Sequence, residues 1–402
     1  MPSLKGQPWL ESASSKQVMA ALEAAGGPDC ARYVGGCVRN ALLDAPVDDI
    51  DIATKLEPQQ TMAALKAAKI RCVPTGIDHG TVTAIVKGQP FEITTLRHDV
   101  ETDGRHAVVA FTTDWAEDAA RRDFRLNALY ASGDGTLHDP TGAGIDDALA
   151  GRIVFVGEPQ ERIAEDYLRI LRFYRFFAWY GRGEMDASGQ AACVALAQGV
   201  ETLSAERVSK ELLKLLAARD PRPAVKAMDE AGVLKTLLPR ASLDLFEPMV
   251  DLTPDAVMRL AALLPAVGGL IKGLSKGLRL SNAQRDRLLE AAKAFDPAMT
   301  DNEARIMIWH DGAQAFSDRV LRAQAGGADA GRMQALMALA RDWHVPPMPV
   351  GGHDLMARGI QPGPNTGRIL KAFQASWMAD GFPDDGHEER LSAAIVDIIG
   401  AG

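Results

Sequence analysis

Beyond about residue 163 the apolar residues of this chain recur almost without interruption at helical spacing, whereas the first third mixes short β-type runs with helices. A 402-residue chain divided in this way reads as α+β, a mixed α/β head followed by a long all-helical body, with two to four structural units in all. Aromatics at 6% argue in the same direction, against a large β-sandwich, and no fixed period marks a solenoid. In the head, helices are predicted over 9–24 and 57–68, with Gly26-Gly27-Pro28 stopping the first. Strands are predicted over 32–34, 50–53, 71–73, 81–86 and 91–95, the last two joined by a hairpin loop at Lys87-Gly88-Gln89-Pro90. The polar, acidic stretch 96–106 reads as a mobile loop. Helices follow over 164–180, 191–197, 204–217 and 223–231, and the Pro-rich stretch 345–349 opens another loop before the last helices.

The net charge of −9 provides no general attraction for polyanions, so a nucleic-acid partner would have to be met by a local concentration of Arg and Lys. Cys30, Cys37, Cys72 and Cys193 form no CxxC pair, which points to a reducing cytoplasm. Residues 1–20 carry Glu11 and Lys16 and lack the apolar centre of a signal peptide. The longest apolar run, 256–271, is broken by Arg259, Pro265 and a Gly pair, so no membrane span is expected.

Chemistry concentrates in four places. Tyr33-Val34-Gly35-Gly36-Cys37-Val38-Arg39 reads as a strand entering a Gly pair and then a helix, a geometry that frees backbone N–H groups for phosphate oxygens, with Arg39 adding a charged fork. A plain tight turn has the same pattern. Asp49 and Asp51 lie two apart on a strand and so share a face; their mutual repulsion is relieved by a divalent cation such as Mg²⁺, or by water at a strand end. Glu92, on a strand that could lie beside theirs, is either a third carboxylate or a solvated residue. Arg121-Arg122-Asp123-Phe124, with Asn127, is either a triphosphate or sugar clamp or a charged helix end. Asp166, Arg169, Arg172 and Arg175 recur at three-residue steps around one side of a helix. There Asp166 and Arg169 pair as helix neighbours, or together read a base edge, the Asp accepting from an exocyclic amine and the Arg donating to ring nitrogens. His310-Asp311 lacks a partner His at useful spacing and reads as a helix end.

Taken in order, Gly-Gly-x-Val-Arg, Asp-x-Asp, Glu-x-Thr-Thr, Arg-Arg-Asp-Phe and Glu-Asp-x-x-Arg resemble the tRNA nucleotidyltransferase/poly(A) polymerase family, the bacterial-type (class II) branch of the polymerase-β-like nucleotidyltransferases. The resemblance is dense from Tyr33 to about Leu215. It leans toward the CCA-adding enzymes. The stretch Asp99 to Arg105 resembles the flexible loop those enzymes use in the switch from C to A, and Gly352-His353-Asp354-Leu355-Met356 resembles a tail motif frequent in them. A Lys/Arg-rich extension of the poly(A) polymerase kind is missing from this sequence. Asn40 stands where the family usually has Asp.

The resemblance implies a polymerase-β-like catalytic head over 1–150, a helical neck over 151–220 that recognises the nucleotide base, and a tRNA-binding body and tail over 221–402. It implies template-independent addition of CCA to tRNA from CTP and ATP, without DNA or membrane partners. The alternatives are a poly(A) polymerase, a partial enzyme adding only CC or A, or a catalytically silent RNA-binding relative. Asp49 and Asp51 would bind Mg²⁺, with Glu92 assisting. Gly35, Gly36, Arg39, Arg122, Asp123 and Asn127 would hold the nucleotide's phosphates and sugar. Asp166 and Arg169 would read the base, supported by Arg172 and Arg175, and Asp99 and Arg105 would sit on the loop that resets specificity.

Overall fold

Four consecutive buried residues make Ala31–Val34 (β1) a strand covered on both faces. Around it, in a computed structural model that describes residues 2–103 and 106–400, the head assembles a seven-stranded sheet. The strands are β2 (Asp51–Thr54), β3 (Arg71–Gly76), β4 (Thr81–Val86), β5 (Gln89–Thr95), β8 (Tyr130–Ala131) and β9 (Leu137–His138), in the order β3-β4-β5-β2-β1-β8-β9. A separate two-stranded ribbon pairs β6 (Arg97–Asp103) with β7 (His106–Phe111). Within the large sheet β2 and β5 run parallel and the other pairs antiparallel. The helix Pro58–Ala67 lies on the connection from β2, its Glu57 N-cap and Gln60 closing a capping box.

Several local expectations change for identifiable reasons. The 87–90 loop is a two-residue turn: Lys87 and Gly88 both have positive φ, the twist a tight hairpin needs, and Gln89 and Pro90 join β5. The stretch read as a loop over 96–106 is mostly strand, because its backbone finds partners in β7, with a register shift between Asp99 and Glu101. The helix predicted over 9–24 breaks at Ser12, whose side chain caps Ala13–Gly26 by accepting from the Ser15 amide. The helix predicted over 164–180 is two, Pro159–Glu165 and Leu168–Tyr180. Between them Asp166 is extended, with φ −154° and ψ 103°, and its carboxylate accepts the Leu168 amide at 3.1 Å.

Leu168–Tyr180 buries Leu168, Ile170, Leu171, Phe173, Tyr174, Phe176 and Phe177, which leaves its arginines along the remaining side. Phe173 and Phe176 pack onto Phe124, and Phe173 stacks on Phe155 with ring centroids 5.5 Å apart. This apolar joint fixes the long helix to the head. The chain forms two compact units, Met1–Pro239 and Arg240–Gly402. The second is helical and holds one core around Phe316, Val320, Met333 and Leu336 and another around Phe373, Trp377, Phe382 and Leu391. His310-Asp311 does close a helix, Asp301–Asp311, with Asp311 paired to Arg319 at 2.7 Å. Among the described residues no helix is long and apolar enough to cross a membrane. Phe173→Ala is expected to cost about 3–5 kcal/mol, because the ring fills a joint that cannot collapse; a urea titration of the variant against the parent chain checks it.

Candidate active site

Parallel pairing of β2 with β5 sets Asp51 directly opposite Glu92. Residues in register across a sheet share a face, so the two carboxylates lie on the same side, with exposed Asp49 two positions before Asp51. Burial, then the charge of Glu92 and more weakly that of Asp49, push the Asp51 carboxyl up to about 6, against an opposing pull from Arg122. Among the described residues no three His, Cys, Asp or Glu side chains form a ready-made metal cage. Hard carboxylate oxygens with unrelieved mutual repulsion nevertheless fit a divalent cation of the Mg²⁺ kind, which takes one or two carboxylates and completes its shell with water and phosphate.

The Gly turn lies beside these acids. Gly35 has φ 72° and ψ −121°, a conformation closed to L side chains, and leads from β1 into the helix Gly36–Leu42. The Cys37 thiol lies 3.7 Å from the Asp51 carbonyl oxygen and so ties that helix to β2. A Cβ on Gly35 would lie 3.7 Å from Nη1 of Arg122, which places that guanidinium against the turn. Arg122 is aimed by Asp118, whose side chain is 1% exposed and accepts from Arg122 at 2.9 Å, from Arg121 at 2.8 Å and from the Tyr130 hydroxyl at 2.7 Å. Burial opposes the Asp118 charge, but the Arg122 and Arg121 guanidiniums prevail and hold its carboxyl at about 2. Arg39 reaches inward: at 7% exposure it donates to Asn127, to Asn40 and to the Tyr180 hydroxyl, and its guanidinium lies 4.1 Å from the Tyr180 ring centroid. Burial pulls its basicity down.

The arginine-rich helix meets the head and a second helix, Ala205–Leu216, through a ladder of polar contacts. Arg172 forks onto Asp123, whose other oxygen accepts from Asn127 at 3.0 Å and from the Phe124 amide at 2.8 Å. Glu211 accepts from Arg175 and lies 3.8 Å from Arg172. Asp166 and Arg169 are not paired with each other. The extended backbone at Asp166 takes it off the helix: its Oδ2 accepts from Arg207 at 2.6 Å, while Arg169 donates to Glu165 and to the Arg162 carbonyl, each at 2.5 Å. Neither residue spends all its capacity in these contacts. Asp99 pairs with Val109 along β6, but its side chain, like the whole of Arg105, lies outside the described residues.

Sequence reasoning missed four members of this arrangement: Asp118, Tyr180, Arg207 and Glu211. Arg207 and Glu211 are spaced i, i+4 on one face of an amphipathic helix, and Asp118 precedes Arg121 and Arg122 by three and four residues, so a local signal was present for all three; Tyr180 gains its Arg39 partner only from tertiary packing.

Comparison with known proteins gives the class first. The family described as the Poly A polymerase head domain matches residues 31–154, and that described as a probable RNA and SrmB-binding site of polymerase A matches residues 184–244. The fold agrees: the crystal structure of the Bacillus stearothermophilus CCA-adding enzyme in complex with CTP superposes with a TM-score of 0.77 at 24% identity, over 96% of this chain and 98% of that one. These features define a polymerase-type nucleotidyltransferase. Two relatives narrow it. The mitochondrial CCA tRNA nucleotidyltransferase 1 of Homo sapiens is 34% identical over 87% of this chain and 83% of its own length. The CCA-adding enzyme of Limosilactobacillus fermentum is 31% identical over 94% and 96%. The chain belongs to the family of CCA-adding tRNA nucleotidyltransferases.

Two outcomes follow from the electrostatics. Glu92→Gln removes the larger of the two charges that raise Asp51, so a ¹³C titration of the metal-free protein is expected to show the Asp51 midpoint below about 6, and an unchanged midpoint contradicts the geometry. Asp118 titrates lower in the folded chain than the ordinary 3.8, so its stabilising contribution is complete above that pH and is lost as the pH falls toward 2. Asp118→Asn is expected to cost about 3 kcal/mol at neutral pH and to flatten the acid limb of a stability-versus-pH curve.

Proposed function

We propose that this chain adds C, C and A to the 3′ end of tRNA from CTP and ATP without a nucleic-acid template, releasing pyrophosphate. The observation that carries the reading is the placement of Asp51 opposite Glu92 beside the Gly35 turn, in a chain alignable with CCA-adding enzymes over most of its length. The head over 1–150 is assigned catalysis, the neck over 151–220 base recognition, and the body and tail over 221–402 the grip on tRNA. The enzyme is placed in the cytoplasm, although relatives in animals are mitochondrial.

Asp49 and Asp51 would hold Mg²⁺, with Glu92 as third carboxylate or positioning group. When bound, the ion lowers the pKa of the primer 3′-hydroxyl and offsets charge on the leaving pyrophosphate. The residues around it orient the substrates. Gly35 and Gly36 let the triphosphate approach the backbone, Arg122 supplies a charged fork aimed by Asp118, and Arg39 braces the turn from beneath. Asp123 and Asn127 join the turn to Arg172, and with Arg175 this carries the position of the triphosphate to the helix that faces the base.

Asp166 and Arg169 read the base. Cytosine and adenine both present an exocyclic amino donor beside a ring-nitrogen acceptor, whereas guanine and uracil present a carbonyl and an N–H there. Arg207 and the Leu168 amide orient the Asp166 carboxylate but leave it lone pairs for an amine, and Glu165 orients Arg169, whose Nε and Nη2 make no hydrogen bond among the described residues. G or U would leave both half-buried groups facing like partners, a mismatch of the kind that lets polar sites reject analogues.

The test offers labelled CTP and ATP, separately and together, with Mg²⁺, to tRNA trimmed of its 3′ CCA. Two C additions, one A and then a stop are expected, and Asp49→Asn or Asp51→Asn is expected to cut the rate on the order of a thousandfold. Long A tails with no use of CTP would overturn the reading in favour of a poly(A) polymerase.

A further inference from the structure

Six tryptophans occur in this chain, and five of them (Trp9, Trp115, Trp309, Trp343 and Trp377) pack against another aromatic ring. Trp179 does not. It stands at the end of Leu168–Tyr180 with 49% of its surface exposed, and among the described residues it makes no ring contact. Its indole N–H donates to the Lys214 carbonyl at 2.7 Å. The polar edge is therefore satisfied within the protein and the ring is held in one orientation, while half of its surface stays in solvent.

The helix that receives that hydrogen bond runs alongside Leu168–Tyr180 in the same direction. Asp166 meets Arg207, Arg175 meets Glu211, and Trp179 meets Lys214. Arg207, Lys210 and Lys214 are spaced i, i+3, i+7 and so share one stripe, about 10 Å long at 1.5 Å per residue. Arg207 is engaged by Asp166, but Lys210 and Lys214 are exposed and form no ion pair among the described residues. A single exposed apolar residue needs no explanation. An exposed, oriented indole beside two unneutralised lysines, in a chain of net charge −9, is a different matter: a flat ring stacks any nucleobase, and lysines spaced along it meet successive phosphates. Both lysines also fall within the 184–244 match to an RNA-binding family segment.

We propose that Trp179, Lys210 and Lys214 form a track for the unpaired 3′ end of the tRNA acceptor strand, Trp179 stacking a base while the two lysines contact its phosphates. The proposal rests on the reading of this chain as a CCA-adding enzyme and names where that enzyme holds its primer. The track runs from Trp179 toward the base-reading Asp166, so a strand lying on it approaches along the neck and brings only its terminal 3′-hydroxyl to the acids. Stacking is indifferent to base identity, which suits a primer whose last residue changes with each addition.

The experiment measures the affinity for tRNA lacking its CCA, and for the same tRNA trimmed back to a blunt acceptor stem, alongside KM for CTP at saturating tRNA. Trp179→Ala is expected to weaken binding of the first RNA about tenfold, Trp179→Phe to recover most of that loss, and both to bind the blunt RNA and use CTP as the parent does. The double variant Lys210→Gln/Lys214→Gln is expected to reduce the slope of log Kd against log salt by about 1.4, roughly 0.7 per lost single-strand phosphate contact. Parental affinity for both RNAs in all three variants would overturn the track. Failure of the parent chain to incorporate CTP or ATP would instead overturn the reading beneath it, and the binding measurements register that failure separately.

Discussion

The site depends on one non-local constraint, the parallel pairing of β2 with β5. Nothing in the local chemistry of Phe91-Glu92-Ile93 brings Glu92 to Asp51; the pairing does so, and it is stabilised by what lies behind the acids. Ile52, Phe91 and Ile93, on the opposite face, are almost fully buried, so a slip of one residue would turn these side chains outward and carry the carboxylates inward. The core thus sustains the repulsion among the acids that raises Asp51.

A second constraint joins two parts of the site. The Gly35 turn, proposed to hold the triphosphate, and Asp166, proposed to read the base, are far apart in sequence, yet a continuous run of contacts joins them: Arg39 to Asn127, Asn127 to Asp123, Asp123 to Arg172, and on through Glu211 to the helix that carries Arg207. The aromatic joint of Phe124, Phe155, Phe173 and Phe176 lies beside this run and gives it a rigid backing. Asn40 fits the same picture. It supplies Arg39 with a neutral acceptor, and Tyr180 completes the cation's surroundings by hydrogen bond and ring face.

What could be read from the sequence was whatever rests on local pattern. The strand-to-helix turn at Gly35-Gly36, the β-branched run 81–86 and the amphipathic helices follow from periodicity and from residues with narrow backbone preferences. What failed depended on pairing that local polarity does not announce. The 96–106 stretch is polar enough to pass for a loop and becomes strand only because β7 offers it a ladder. The break at Asp166 was within reach, since an Asp two residues before a helical amide can accept from it, but the apolar spacing on either side concealed it. The Asp118 partner of Arg122 was within reach as an i, i+4 spacing, whereas the Tyr180 partner of Arg39 was not, because 141 residues separate the two.

The claim most exposed to test is that Asp51 at the start of β2, with Asp49 just before it, forms the cation site. Electron paramagnetic resonance of Mn²⁺ added with CTP reads it directly: the account requires a bound ion in the parent chain that is lost in Asp51→Asn and weakened in Glu92→Gln. Equal Mn²⁺ binding by the parent and Asp51→Asn would contradict it, and would move the metal, and with it the chemistry, away from the β2–β5 pair.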